Sequence, residues 1–144
     1  MPNRVIKESI WTSPNLNHLS WQAERHFYRL MPCPDDHGCC ECTPAVIKGK
    51  CYPLQGDITI EQIEEWQREL ESQSLLLRWL NGDRQYAIFP TFSKHQRIRS
   101  LHNRKTPVPP RNITDKCQQI AASVDLWSQV TTSDDIAKQC KEVV

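Results

Sequence analysis

The period of the apolar positions changes along the chain, and each change marks an element. From Trp21 to Met31, Ala23, Phe27 and Leu30 recur at helical spacing. Ser20 precedes them as an N-cap whose hydroxyl can accept from the first free N–H groups, and Pro32 and Pro34 end the helix. Thr43-Pro44 is a second helix start, a cap residue followed by proline at the first helical position, and this short helix stops before Pro53. The box Thr59-x-x-Gln62 opens a third helix, with Ile60, Ile63, Trp66 and Leu70 along one face and glutamates on the other. Ahead of all three, Arg4 to Trp11 reads as a short extended entry segment.

A different period follows. Leu75 to Leu80, then Asn81-Gly82, then Asp83 to Phe89 is the pattern of a β-hairpin, because Asn-Gly suits a two-residue loop with positive φ. With Asn81-Gly82 as the loop, Trp79 stands opposite Arg84 and Leu77 opposite Tyr86, and Arg78 and Gln85 share the other face. Three helices closed by a hairpin predict an α+β winged helix-turn-helix over residues 1–92. Residues 93–112 read as a basic linker ending in the stiff Pro107-Val-Pro-Pro run. Residues 113–144 read as a helical C-terminal segment, with Ile113, Cys117, Ile120, Val124 and Trp127 in period and a restart at Thr132-Ser133-Asp134-Asp135.

Composition narrows the class. The chain has 144 residues, 38% of them hydrophobic, which suits one small core and is too apolar for full disorder. No apolar run approaches the roughly eighteen residues of a membrane helix, and Met1-Pro2-Asn3-Arg4 opens no apolar signal stretch. Seven cysteines, an odd number without an export signal, suit free thiols in a reducing cytoplasm better than a secreted disulfide scaffold.

The net charge of +1 conceals a strong segregation. Arg84 to Thr114 contains no Asp or Glu but seven Lys and Arg, with His95 and His102. Thr59 to Ser72 carries five glutamates against Arg68 alone, a net of −4. A polyanion can bind the basic belt whatever the overall charge, while the plain alternative is a solvated linker.

Cys33, His37, Cys39, Cys40, Cys42 and Cys51 are soft ligands in number enough for tetrahedral zinc, and Cys33, His37, Cys42 and Cys51 are one conceivable set. The spacing is not a CxxC pair and adjacent Cys39 and Cys40 rarely reach one ion, so free thiols are expected and no metal or cofactor. Asp35-Asp36 beside Gly38 reads as turn chemistry rather than a metal-binding carboxylate pair. The four glycines make no phosphate loop, neither G-x-S-x-G nor H-E-x-x-H occurs, and nothing points to a Cys51–His26 dyad. No catalysis is expected.

Several stretches in order carry a resemblance: Met1-Pro-Asn-Arg-Val-Ile-Lys-Glu-Ser-Ile, Leu19-Ser-Trp, Phe27-Tyr28-Arg29-Leu30, Asp35-Asp36-x-Gly38, Pro44-Ala-x-Ile47-Lys-Gly49, Tyr52-Pro53-Leu54, Ile58-Thr59, Asn81-Gly82 and Lys94-His95-Gln96-x-Ile98-Arg99. The chain to about Pro110 resembles the N-terminal domain of phage and prophage replication proteins, replisome organisers related to DnaD. The resemblance implies a winged helix that binds DNA in replication initiation. Only 34 residues follow Pro110, too few for the second helical domain such proteins often carry.

A third helix with five glutamates is a poor partner for phosphates. Either Gln62, Gln67 and Arg68 reach bases from a narrow strip, or the helix faces away and the contacts come from elsewhere. The second is preferred, which places the DNA contacts on Arg78, Arg84 and Gln85 of the wing and on Lys94, His95, Arg97, Arg99, Arg104 and Lys105 of the belt. Such contacts are mostly to phosphates and hence salt-sensitive. Beyond DNA, a second copy of the chain or replication proteins are the partners to expect, with no membrane partner. The alternatives are a protein-interaction module using the acidic helix and C-terminal helices, and a winged-helix transcriptional regulator.

Overall fold

The computed structural model describes residues 4–92, 96 and 104–130, and for 124–130 the backbone only. A 3-10 turn (Glu8–Thr12) and a short helix α1 (Pro14–Asn17) lead into helix α2 (Trp21–Leu30). Strand β1 (Cys39–Glu41), helix α3 (Pro44–Cys51) and helix α4 (Ile60–Ser72) follow. Strands β2 (Leu77–Asn81) and β3 (Arg84–Ile88) form the hairpin, and helix α5 (Arg111–Val130) closes the described chain. The fold is α+β, with one antiparallel sheet ordered β1-β3-β2.

Local chemistry sets the helix ends. The Ser20 hydroxyl accepts from the Ala23 N–H at 3.2 Å, and Thr59 and Gln62 form both bonds of the capping box, at 3.0 and 3.2 Å. Thr43 makes no cap bond; its hydroxyl instead accepts from the Gln85 N–H at 3.0 Å and so ties α3 to the hairpin. The entry segment departs from expectation, because residues 8–12 coil into the 3-10 turn instead of remaining extended. Asn17 stabilises that coil, its amide donating to the carbonyls of Ile10, Trp11 and Ser13.

The hairpin register also departs from expectation. Trp79 pairs with Tyr86, Leu77 with Ile88 and Asn81 with Arg84, so the loop is Gly82-Asp83. Gly82 alone takes positive φ, at 65°, as a type II′ turn needs at its first loop position. The shift is two residues, which leaves Arg78 and Gln85 on one face as expected.

The sheet is covered on both faces. Cys40 and Ala87 turn to a core shared with Ala23, Leu30, Ile47, Ile63, Trp66 and Leu70. On α4 the buried face is Ile63, Trp66, Gln67 and Leu70, whereas Ile60, expected on that face, is 43% exposed. Cys39, Leu77, Trp79 and Tyr86 turn the other way and are capped by Ile113 of α5, with Cys117 and Ile120 packed beside it. Helix α5 thus begins inside the expected linker and completes a second apolar layer. Val124 and Trp127, and the restart at Thr132, lie outside the side chains and residues described.

Two further contacts close the chain on itself. The Asp35 carboxylate accepts from the N–H groups of His37, Cys39 and Lys105 and from the Thr106 hydroxyl, at 2.9–3.2 Å. Arg4 donates to the Pro34 carbonyl at 2.7 Å and stacks over Phe92, 4.8 Å from the ring centre. Among the described residues no helix is long and apolar enough to cross a membrane.

Candidate nucleic-acid interface

The glutamates of α4 are mostly internal ties. Glu64 and Glu71 grip the Arg78 guanidinium, Glu64 through Nη1 at 3.0 Å and Glu71 through Nε, while the Gln67 amide oxygen adds a longer contact. Glu69 accepts from the N–H and hydroxyl of Ser20, which places a carboxylate at the positive end of α2. Glu61 and Glu65 are exposed, and the other three are half-buried. The repulsion expected from five carboxylates is therefore reduced to two.

This geometry removes Arg78 from the expected contact set. Its side chain is 16% exposed, and the two carboxylates raise its affinity for its proton against the opposing effect of burial. The charge fixes the hairpin to α4 rather than facing a polyanion. The base-reading strip is reduced rather than closed: Gln67 is fully buried and Gln62 is held in the capping box, while Arg68 stays exposed in a surface pair with Glu64 at 3.3 Å.

The remaining expected contacts divide. Arg84 is exposed at the hairpin end, 3.9 Å from Glu41, and Gln85 is half-buried one residue on. The Lys105 side chain is exposed while its backbone is held by Asp35. Arg104 lies against the Cys39 thiol with its Nη1 shielded from solvent, and so acts inside the fold. Lys94, His95, Arg97 and Arg99 lie outside the described residues.

Two cations that sequence reasoning passed over stand on Tyr52, with two more on the helix before it. Arg29 and Arg25 stand over its ring, at 4.8 and 5.9 Å from the centre. Arg25 also donates to Gln55 at 2.7 Å, and Arg29 to the Cys51 carbonyl. Lys48 lies one turn before Tyr52 on α3, and Lys50 is exposed near its end, beside Cys33. Among the described residues none of these four cations is paired with a carboxylate. The signal was present in the chain as the i,i+4 pair Arg25 and Arg29, but nothing local links it to residues 48 and 50.

Beneath this surface Tyr52 is anchored by His26, whose Nδ1 lies 2.8 Å from the phenol oxygen and whose ring stacks on it at 5.8 Å. Burial lowers the His26 pKa to about 4 and raises that of Tyr52 to about 12, so both are neutral near pH 7. Among the described residues no three His, Cys, Asp or Glu side chains gather as a metal site, and the six described cysteines are free thiols. Cys39 and Cys40 face opposite sides of the sheet, as neighbours in a strand must. No family model matches the chain, and no curated protein or solved structure matches it either.

Proposed function

We propose that the chain is a non-catalytic DNA-binding protein of winged-helix type, acting in phage or prophage replication initiation as a replisome-organiser-like factor. The helix–strand–helix–helix–hairpin order, with β1 joined to the hairpin, supports the winged-helix reading. The observation that carries DNA binding is the pair Arg25 and Arg29 over the Tyr52 ring, with Lys48 and Lys50 on the adjoining α3, none of the four paired with a carboxylate among the described residues. Unpaired cations on a rigid base attract phosphates and release counterions on contact. Arg84 and Lys105 extend the contact set from the hairpin and tail, so binding is chiefly to phosphates and only weakly sequence-selective. Internal use of Glu64, Glu69 and Glu71 leaves the acidic helix little charge for a protein partner, which disfavours the interaction-module reading.

Fluorescence anisotropy of the full chain with random duplex tests this assignment through two pairs of substitutions. Lys48→Glu with Lys50→Glu is expected to weaken binding at least tenfold, and Arg84→Glu with Lys105→Glu to weaken it severalfold. Each lost phosphate contact should flatten the salt slope by about 0.9. Unchanged affinity in both variants would overturn the assignment. A preference of a thousandfold or more for one duplex site would instead identify a transcriptional regulator.

A further inference from the structure

Cys33 and Cys51 stand apart from the other thiols. Cys33 lies beyond the end of α2 and Cys51 is the last residue of α3, yet their sulfurs are 3.6 Å apart. The Cys51 thiol also lies 3.4 Å from the Arg29 carbonyl, and Arg29 donates to the carbonyl of Cys51. Both sulfurs therefore sit where two helix ends are laced together, and Cys33 remains half-exposed. Helix ends give more readily than helix centres, and closing an S–S bond needs the sulfurs to approach by about 1.5 Å.

We propose that Cys33 and Cys51 form a redox-modification site that takes a hydroperoxide and closes to a disulfide. The Cys33 thiol gives up its proton, its thiolate attacks the terminal peroxide oxygen, the S–O bond forms, the O–O bond breaks, and the leaving oxygen takes that proton and departs as an alcohol, or as water from hydrogen peroxide. Cys51 sulfur then attacks the Cys33 sulfenic sulfur, the S–S bond forms, and hydroxide leaves with the Cys51 proton as water. Two thiols lose two electrons and the peroxide gains them. The environment suits Cys33 to the first step. A hydrogen bond from Cys51 pulls its pKa down to about 7, against burial, and the nearby Lys50 charge acts the same way. Every other described cysteine is pushed the opposite way: burial leads for Cys39, Cys40, Cys42 and Cys117, and the hydrogen bond to Cys33 leads for Cys51.

The test is hydrogen peroxide on the reduced full chain, followed by thiol counting and non-reducing peptide mapping. The expected result is a fall from seven thiols to five, with one linked peptide pair joining Cys33 to Cys51. In Cys51→Ser, which keeps a hydrogen-bond donor beside Cys33 but no second sulfur, peroxide should leave Cys33 as a sulfenic acid captured by dimedone, and Cys117→Ser should leave the disulfide yield unchanged. Oxidation spread over the other cysteines in the wild-type chain would overturn the proposal, as would dimedone labelling of Cys51→Ser anywhere but Cys33. The wild-type mapping needs no variant to fold.

Discussion

The Glu69 carboxylate accepts hydrogen bonds from both the backbone N–H and the hydroxyl of Ser20, so a residue late in α4 caps the start of α2. Ser20 in turn accepts from the Ala23 N–H, which satisfies donors that α2 cannot pair internally. Glu69→Ala is expected to cost about 1–2 kcal/mol. Urea unfolding of Glu69→Ala, Ser20→Ala and the double variant checks it. The coupling between the two sites should exceed about 0.5 kcal/mol.

Arg78 is held by Glu64 and Glu71 and belongs to stability rather than binding. Arg78→Met removes the charge, leaves part-buried Glu71 without its cation and leaves Glu64 only its exposed pair with Arg68, at an expected cost of about 2 kcal/mol after allowing for their partial exposure. The urea midpoint should fall while DNA affinity, measured where the variant is folded, stays within about twofold.

His26 makes the fold acid-sensitive. Its pKa is lowered from 6.5 to about 4 in the folded chain, so between those values the unfolded state binds the extra proton. Stability is therefore fully present above about pH 6.5 and is lost as the pH falls towards 4. Converted at about 1.4 kcal/mol per pH unit, the shift sets an upper limit of about 3 kcal/mol. Unfolding midpoints at pH 7, 5.5 and 4.5 should fall steadily, and His26→Phe should flatten the fall.

Two glycines should answer oppositely to alanine. Gly38 has φ at +77°, and a Cβ there would meet the Phe92 Cβ at 2.7 Å, so Gly38→Ala is expected to cost at least about 2 kcal/mol. Gly49 lies within α3, exposed, with nothing within 4 Å of an added Cβ. Gly49→Ala should stabilise by about 0.5–1 kcal/mol. Thermal unfolding of both variants decides the signs.

What was legible in the chain was local. Ser20 and the Thr59–Gln62 box bring their cap bonds from within one turn, and Asn81-Gly82 marked the hairpin because the dipeptide itself favours a tight turn. The details that failed were set at long range. Strand β1 is only three residues, too short for an alternation, and exists because β3 pairs with it. The loop moved to Gly82-Asp83 because the paired partners, not the dipeptide alone, choose the register. Among the candidate contacts, charge along the chain cannot reveal which cations find carboxylates. Arg78 faces inward to α4, whereas Arg25 and Arg29 meet over Tyr52 only because the residue that follows α3 packs against α2. Covering of Trp79 and Tyr86 by Ile113 likewise needs the tertiary fold.

The most direct test of DNA binding is the affinity of the full chain for random duplex measured across a salt series. Residues beyond 92 must be kept, because Ile113 covers the Leu77–Trp79–Tyr86 face and its removal would expose that face. Phosphate contacts by the Tyr52 cations, Arg84 and Lys105 predict a plot of log affinity against log salt with a slope of about −3 or steeper. Absence of binding at low salt, or an affinity that salt leaves unchanged, would contradict it.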